Sequence, residues 1–508
     1  MSDFTDLVDL ASQKFGATVL YANDDFFASK DNLLKPEKAI FLDGKYTDRG
    51  KWMDGWESRR RRTPGHDFCL IRLGAPGVLS GVVVDTAFFK GNYPQACSID
   101  ACTVEGQPSP EDLMSGAAQW IEVLPKVNLL GDTANKFAIA SESRFTHLRL
   151  NIYPDGGVAR LRVHGEVVAD RRFLGPVGLA QEIDLAAIEN GGVVVACNDM
   201  FFGSRHNLIM PGRAVNMGDG WETKRSRKEA PDWCIVKLAA RGHITRIEVD
   251  TNHFKGNYPE SFALESCNSV GDNIESLARD DGAWMPLVLR TKLQPHARHF
   301  YEHEIAVHSE ATHVRMRIFP DGGISRLRLW GVPTADGRIR VGLRFLETLP
   351  KATLADELRT CCGSTTWANA LAAKQPFASL GALIAASDTA WNSTTESDWL
   401  EAFQSHPRIG ESHAKREQSA AAKVWSSSEQ AKLSDAHAAT RAELKSINDS
   451  YEKKFGFIYI VCATGKSIDE MLVIAKARMI HDRDTELRCA AEEQRKITNL
   501  RLEKLVTR

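Results

Sequence analysis

Short alternations of apolar and polar residues fill the first two thirds of the chain. Apolar and polar residues alternate in stretches such as CLIRL, GVVVDT, HLRLNIYP and ARLRVHG, and Gly, Pro and Asp residues separate these stretches. This period of two is typical of half-buried antiparallel strands. YPDGG and FPDGG have turn chemistry, because proline fixes φ and glycine accepts a positive φ. The pattern predicts β-sandwich or jelly-roll architecture before residue 340.

The strand pattern occurs twice. DTAFFKGNYP at 85–94 matches DTNHFKGNYP at 250–259, and DGWESRRRR at 54–62 matches DGWETKRSR at 219–227, both with an offset of 165. NDDFFASKDNLLKP at 23–36 matches NDMFFGSRHNLIMP at 198–211 with an offset of 175. The difference places about ten extra residues of the first copy in FLDGKYTDRGKWM. Two domain-sized repeats are therefore predicted, and the insertion predicts that they are unequal.

Helical spacing replaces the alternation after residue 340. Leu444, Ile447, Tyr451 and Phe455 recur on one helical face, and SIDE at 467–470 is a capping box. The predicted fold class is multidomain: two tandem all-β jelly-roll or β-sandwich domains followed by an all-α helical domain. The predicted domain limits are 1–175, 185–338 and 341–508.

Composition and charge narrow the class of protein. The chain has 508 residues, of which 43% are hydrophobic and 26% charged, with a net charge of −2. The basic run 59–62 has no interleaved aromatic stripe, so we expect no nucleic-acid partner. No apolar run approaches the ~18 residues of a membrane span, and the first residues do not resemble a signal peptide. Ten scattered cysteines are typical of reduced thiols. We expect a cytoplasmic homo-oligomer that does not bind membranes.

Several polar residues recur in both repeats. A purely structural interpretation is available, in which KGNYP is a tight turn with Gly91 left-handed and Asp85 caps a loop. A turn has no use for a lysine, however, whereas lysine, amide and carboxylate groups suit a small polar anion. The recurring pairs are Asp54/Asp219, Trp56/Trp221, Glu57/Glu222, Asp85/Asp250, Lys90/Lys255, Asn92/Asn257 and Tyr93/Tyr258.

DGWE, DTAFFKGNYP and IYPDGGVARLRVHG, each present twice, resemble allantoicase, which releases urea from allantoate. The resemblance covers about 15–335 and implies paired jelly rolls that produce ureidoglycolate. The catalytic roles are inferred from chemistry: Glu57 or Glu222 would shuttle the proton, and Lys90 or Lys255 would bind the substrate's negative charge. The other expected substrate-binding residues are Asn92, Tyr93, Asn257, Tyr258, Asp85 and Asp250. No HxH or HExxH spacing is present, so a divalent metal held by carboxylates stays an open alternative.

FQSHPRIGE at 403–411 is the most informative stretch of the helical region. Pro407 disfavours helical geometry at His406, so His406 is predicted at a helix C-terminus, where the dipole favours imidazolium. A simple C-capping histidine is the structural alternative. For SSSEQ at 426–430 that alternative is a capping box formed by Ser426 and Glu429.

With CCGSTTW, SYEKKFGFIYIVC and EEQRKITNLRL, these stretches resemble the OHCU decarboxylase family, which acts on 2-oxo-4-hydroxy-4-carboxy-5-ureidoimidazoline. The resemblance implies a cofactor-free decarboxylation to (S)-allantoin, with His406 as proton donor and Glu429 as a second catalytic residue. Ile458 and Tyr459 replace an expected Pro-Phe pair, which alters the shape of the pocket. The implied substrate-binding residues are Pro407, Ser426, Gln430, Phe455, Gly456, Phe457, Ile458, Tyr459 and Arg501.

The predicted function is therefore a bifunctional enzyme of ureide catabolism whose partners are the small molecules allantoate and OHCU. The alternative is a tandem carbohydrate-binding β-sandwich with a helical interaction domain and no catalysis. The recurring lysine and carboxylate favour the enzyme.

Overall fold

The computed structural model describes residues 3–175, 181–226, 230–269, 271, 273–279, 281–306, 310–408 and 438–507. The chain divides into two compact units, Met1–Val341 and Gly342–Arg508. The first unit holds both β repeats and the second is helical, which confirms the predicted fold class.

The first repeat is built from twelve strands and one short helix. These elements are β1 Val8–Asp9, β2 Thr18–Ala22, β3 Tyr46–Thr47, β4 Gly50–Lys51, β5 Trp56–Glu57, β6 Asp67–Asp85, β7 Ala96–Cys102, α1 Pro110–Met114, β8 Ile121–Asn128, β9 Ala134–Ala138, β10 Arg144–Tyr153, β11 Gly157–Val158 and β12 Arg160–Val167.

The second repeat follows the same plan without counterparts of β3 and β4 among its described residues. Its elements are β13 Ile183–Asp184, β14 Val193–Cys197, β15 Trp221–Glu222, β16 Asp232–Asp250, β17 Ser261–Cys267, α2 Ile274–Arg279, β18 Met285–Lys292, β19 Arg298–Tyr301, β20 Ala311–Phe319, β21 Gly323–Ile324 and β22 Arg326–Pro333.

One 19-residue strand organises each sandwich. The first half of β6 lies between β2 and β10, and its second half lies between β12 and β9, all antiparallel. Strand β6 therefore pairs with four strands and links them into one eight-stranded sheet, and β16 does the same with β14, β20, β22 and β19. Residues along β6 alternate between buried and half-buried positions, as the alternating sequence requires.

The two repeats share one continuous apolar core and make specific contacts with each other. Lys14 Nζ lies 3.0 Å from an Asp219 carboxylate oxygen. The His206 imidazole lies 2.7 Å from the Asp6 carbonyl oxygen, through Nε2. The amino-terminal part of the first repeat therefore contacts the second repeat directly.

The helical series begins at Ala335, six residues before the expected 341, where the Thr334 hydroxyl accepts a hydrogen bond from the Gly337 amide at 3.0 Å and so caps the first turn. Its helices are α3 Ala335–Glu347, α4 Lys351–Arg359, α5 Thr365–Ala372, α6 Leu380–Asn392, α7 Glu396–Gln404, α8 Ala438–Phe455, α9 Ile468–Arg478 and α10 Arg483–Thr507. Helix α9 begins with the predicted capping box of Ser467 and Glu470. No described helix has the length and apolar character that a membrane crossing demands.

Candidate functional site

The three recurring motifs of the first repeat meet at one carboxylate. Glu57 of DGWE lies in β5 and pairs with Gly157 of YPDGG in β11. Asn92 of KGNYP donates a hydrogen bond from Nδ2 to Glu57 Oε1 at 2.7 Å. The Gly157 amide in turn donates to the Asn92 carbonyl at 2.8 Å. The recurrence of all three motifs is therefore explained by their contact around Glu57 and Asn92.

Close packing explains the glycine pair of YPDGG. Gly156 has φ of +138°, and a side chain there would also meet the backbone of 92–94 at 2.7–2.8 Å. A Cβ on Gly157 would lie 1.9 Å from the buried ring of Phe89. Only glycine lets the two loops approach this closely.

Glu57 is a half-buried carboxyl group with an altered pKa. Burial raises its pKa, and the hydrogen bond from Asn92 partly opposes that rise. A carboxyl with a raised pKa keeps its proton at a higher pH than a solvated one, which suits proton transfer near neutral pH.

Glu57 and Asn92 open into a cleft of about 490 Å³. Lys51 and Lys90 contribute two ammonium groups to its lining. The Lys90 side chain is 78% exposed, and its ammonium lies 3.9 Å from an oxygen of Asp132. The remaining lining residues are Phe27, Phe41, Gly50, Met53, Phe88 and Gly91.

The second repeat contains the equivalent pair of carboxylate and amide, but the cleft beside that pair has a different lining. Asn257 donates from Nδ2 to Glu222 Oε1 at 2.6 Å, and the Gly323 amide donates to the Asn257 carbonyl at 2.9 Å. The adjoining cleft of about 760 Å³ includes Tyr258. Lys255 is exposed and is not among its lining residues, which are Phe202, Glu222, Thr223, Arg225, Ser226, Gly256, Asn257, Tyr258, Glu260, Lys292, Leu293, Gln294, Pro320, Asp321 and Gly322.

Other predicted site residues serve the loops that hold these pairs. Asp85 Oδ1 accepts a hydrogen bond from the Ala87 amide at 2.9 Å, and Asp250 Oδ1 accepts from the Asn252 amide at 2.8 Å. The left-handed Gly91 of the purely structural alternative is wrong, because the positive φ of this turn falls on Phe88. A left-handed residue three positions earlier already reverses the chain.

Tyr93 is half-buried against the apolar core, and its ring occupies the space that a side chain on Gly131 would need. Its counterpart Tyr258 also packs against the apolar core, and it lines the second cleft as well. The substrate-binding roles of these two tyrosines and of Asp85 and Asp250 stay predictions.

Asp54 anchors the DGWE loop through an arginine that the sequence analysis missed. Arg160 donates from Nη2 to Asp54 Oδ2 at 2.7 Å and from Nη1 to the Asp54 carbonyl at 2.9 Å. Both side chains are buried, and Arg326 and Asp219 repeat the arrangement. The RLR sequence shared by both repeats is the signal that would have identified these arginines.

The buried indole of Trp56 donates to the Asp24 carbonyl at 2.8 Å, which makes it a structural residue.

His406 lies just after the C-terminus of α7, as predicted, where its amide donates to the Phe403 carbonyl. The side chain is only 9% exposed. Burial and the nearby Arg501 cation lower its pKa well below 6.5, and Gln494 partly opposes this. The predicted effect of the helix dipole is therefore outweighed, and the imidazole is neutral at pH 7.

An aromatic cluster packs beside this histidine. The ring centroids of Phe457 and Phe403 are 5.5 Å apart. Phe403 lies one helical turn before His406. Phe455 and Tyr459 contact Tyr451, and the Tyr459 hydroxyl donates to the Met471 carbonyl at 3.0 Å. Three other residues of the predicted decarboxylase site are buried, namely Pro407, Ile458 and Arg501. Gly456, also predicted, has a φ of +83°.

Ser426, Glu429 and Gln430 lie outside the described residues. Their predicted roles at the decarboxylase site therefore stay predictions.

Within the described parts of the chain, one group of three side chains is close enough to share a metal ion: His481, Glu486 and Cys489. Glu486 is fully buried and already accepts hydrogen bonds from Tyr451 and Arg478, and it contacts His481 at 2.7 Å. These contacts favour a structural ion-pair network over a metal site.

The chain matches two families of known proteins. The family model described as "Allantoicase repeat" matches residues 8–168 and 183–334, and the model described as "OHCU decarboxylase" matches residues 347–503. A probable allantoicase of Ralstonia nicotianae is 48% identical over 324 residues, which are 64% of this chain and 94% of that protein.

Two solved structures resemble different parts of the chain. The allantoicase of Saccharomyces cerevisiae is 36% identical with a TM-score of 0.53, and the match covers 64% of this chain and 92% of that one. An OHCU decarboxylase crystallised with (S)-allantoin is 37% identical with a TM-score of 0.27, covering 30% of this chain and 99% of that one. The chain therefore belongs to the allantoicase family, with an OHCU decarboxylase domain following its two allantoicase repeats.

Proposed function

We propose that the β unit hydrolyses allantoate to (S)-ureidoglycolate and urea, and that the helical unit decarboxylates OHCU to (S)-allantoin. The observation that carries the first activity is the raised pKa of Glu57, hydrogen-bonded to Asn92 in a cleft lined by two lysines. The carbohydrate-binding alternative is not favoured, because the family matches are enzymes.

The chemistry of urea release fits this arrangement. The central carbon of allantoate bears a carboxylate and two ureido groups. Protonated Glu57 would donate its proton to the leaving ureido nitrogen, so that the C–N bond breaks and urea departs. The lone pair of the remaining ureido nitrogen stabilises the cationic carbon. The Glu57 carboxylate then takes a proton from water as the water oxygen bonds to that carbon, which regenerates the acid.

Asn92 would hold the Glu57 carboxyl in position throughout this cycle, and Lys90 would attract the substrate's carboxylate. Glu222 and Asn257 have the same geometry and are the second candidate pair. The first pair is favoured because its cleft brings Lys90 together with the carboxyl group.

For decarboxylation, the C–CO2 bond breaks and its electron pair enters the unsaturation of the imidazoline, so no cofactor is required. A proton must then reach one face of the ring carbon. His406 is buried beside Arg501, and a substrate carboxylate bound there would oppose the effect of that cation. Substrate binding would thus raise the His406 pKa and let the imidazole acquire the proton that it delivers.

Glu57→Gln tests the first activity directly. We expect urea release to fall by about 10²–10⁴-fold, the usual contribution of a positioned acid. In the unmodified protein, activity should decline as the pH rises through the raised Glu57 pKa, because the acid form is lost. The measurements are urea release from allantoate and its pH profile. A folded Glu57→Gln protein with unchanged urea release would remove Glu57 from the mechanism.

The state of the cysteines supports a reducing, cytoplasmic location as part of this proposal. All ten cysteines are free thiols, and eight of them are buried. Burial raises the pKa of Cys97 and Cys102 to about 12, so these thiols are unreactive at neutral pH.

A further inference from the structure

The ten-residue insertion of the first repeat forms a hairpin with no counterpart in the described second repeat. Its strands β3 and β4 pair Tyr46 with Lys51 and Thr47 with Gly50. The Trp52 amide closes the hairpin by donating to the Lys45 carbonyl at 3.0 Å. Gly50 has φ of +135°, which favours glycine in the turn.

This hairpin forms one wall of the first cleft. Arg49 donates from Nη1 to the Phe26 carbonyl at 3.1 Å, which fixes the turn against the sandwich. Phe41, at the start of the insertion, stacks on Phe88 with 5.7 Å between ring centroids. Phe41, Gly50, Lys51 and Met53 all line the cleft.

Comparison with the second repeat shows which side chains the hairpin shields from solvent. Phe26 and Phe27 are 39% and 37% exposed, whereas their counterparts Phe201 and Phe202 are 69% and 61% exposed. The cations of the second cleft, Arg225 and Lys292, come from other segments of the fold. The hairpin therefore changes both the enclosure and the charge of the first cleft.

The two lysines of the first cleft differ in their electrostatic partners. Lys90 lies 3.9 Å from a carboxylate oxygen of Asp132, which balances part of its charge. Among the described residues, no carboxylate lies within 4.0 Å of the Lys51 ammonium. That ammonium is held 4.6 Å from the centroid of the Phe41 ring, which positions it by a cation–π contact.

We propose that Lys51 is the residue that selects a carboxylate-bearing ureide in the first cleft: Lys51 would contact the substrate carboxylate directly, whereas Lys90, which shares its charge with Asp132, would attract the carboxylate from a greater distance. This inference rests on the proposed function and adds its specificity-determining residue. The ligand class is a small ureido acid, in which amide and N–H groups would meet the Glu57–Asn92 side and the anion would meet Lys51.

Lys51→Met tests the proposal, with Lys45→Met as the matched control in the same hairpin. Lys45 does not line the cleft, and its ammonium lies over Trp52 at 4.3 Å. The probes are hydantoate, which has one ureido group and a carboxylate but no second ureido group to expel, and its neutral amide. Both are titrated into the full-length proteins by calorimetry.

We expect Lys51→Met to weaken hydantoate binding by about tenfold or more, as for loss of a charge-assisted contact, while binding of the neutral amide changes less than about twofold. Lys51→Arg should retain hydantoate binding, and Lys45→Met should match the unmodified protein. The proposal is overturned if the unmodified protein does not bind hydantoate, if Lys51→Met binds it equally well, or if Lys51→Met loses both probes equally.

Urea release from allantoate is measured on the same proteins and separates the two hypotheses. A protein that binds hydantoate through Lys51 but releases no urea would contradict the proposed function alone. A protein that releases urea with the same KM after Lys51→Met would contradict the Lys51 assignment alone. The expected result is a raised KM in Lys51→Met with kcat nearly retained.

Discussion

Identical residues in the two repeats occupy unequal surroundings. Lys90 lines a cleft with Glu57, Asn92 and the hairpin residue Lys51, whereas Lys255 lies outside the cleft that adjoins Glu222. The same residue type at the same position of the motif therefore has a different electrostatic neighbourhood in each copy.

Comparison of Lys90→Ala with Lys255→Ala measures this inequality. We expect Lys90→Ala to lower kcat/KM for urea release by about tenfold, since it removes one charge from the binding cleft. Lys255→Ala should change kcat/KM by less than about twofold, because its exposed side chain contributes little. Equal losses in the two variants would contradict an asymmetric site.

His406→Asn is the corresponding test in the helical unit. We expect decarboxylation to fall by about 10²–10⁴-fold, because asparagine cannot deliver a proton near neutral pH. Urea release by the β unit serves as the internal control and should persist. Formation of (S)-allantoin at the unmodified rate would show that His406 is not the donor.

The His406 pKa also makes a stability prediction. Because the folded pKa lies well below 6.5, the unfolded chain binds the proton first as the pH falls below 6.5, and unfolding becomes more favourable. The effect reaches at most about 1.4 kcal/mol per pH unit. His406→Asn should therefore lose less stability than the unmodified protein between pH 7.5 and 5.5, measured by denaturant unfolding. His147 and His206, whose pKa values are lowered to about 4, are present in both proteins. Their contributions to the pH dependence of stability therefore cancel in the comparison.

The sequence identifies some of these residues more readily than others. Glu57, Lys90 and Asn92 were predictable because a polar residue kept at both copies of a motif is visible without a structure. Lys51 was not, since it lies in the insertion and has no second copy. The neutral state of His406 was also hidden, because it depends on burial and on Arg501, which is almost 100 residues away along the chain.

Among the elements, the YPDGG turn and the KGNYP loop act as one unit. The turn was predictable from proline and glycine, and the positive φ of Gly156 confirms it. The reason for the second glycine was not predictable, because Gly157 has no positive φ and is required by the Phe89 ring. Contact between distant loops is a property of the tertiary fold that local turn rules do not contain.

Gly157→Ala tests this contact, with Gly91→Ala as its matched control. A Cβ at 157 would lie 1.9 Å from Phe89, whereas a Cβ at 91 meets nothing within 4 Å. We expect Gly157→Ala to destabilise the β unit by about 3 kcal/mol, at the upper end for overpacking, and Gly91→Ala to be nearly neutral. Unfolding midpoints provide the measurement, and similar midpoints for the two variants would show that the loops can separate at no cost.

At the scale of the whole molecule, the chain contains two compact units of different fold class. The change from period-two alternation to helical spacing made this division predictable from the sequence. The start of α3 was less predictable, since ADGRIRVG carries both turn-forming and helix-forming residues.

The fragment 1–341 should fold alone and release urea from allantoate. The two repeats share one core, and the Arg338 contacts with the carbonyls of Leu174 and Gly175 lie within the fragment. Circular dichroism and a urea assay are the measurements, with the full-length chain as the control. A fragment that folds but yields no urea would contradict the assignment of this activity to the β unit.

The ion pair between Lys14 and Asp219 has a consequence for how such a duplicated gene can change. Asp54 has its nearest lysine, Lys35, within its own repeat at 3.8 Å, whereas Asp219 takes its lysine from the other copy. The repeats are therefore no longer interchangeable modules. Reversing their order, or replacing the first by a duplicate of the second, would remove one of the two cations of this buried carboxylate and leave Arg326 alone to balance it, so recombination between the two halves is restricted even though their motifs still match.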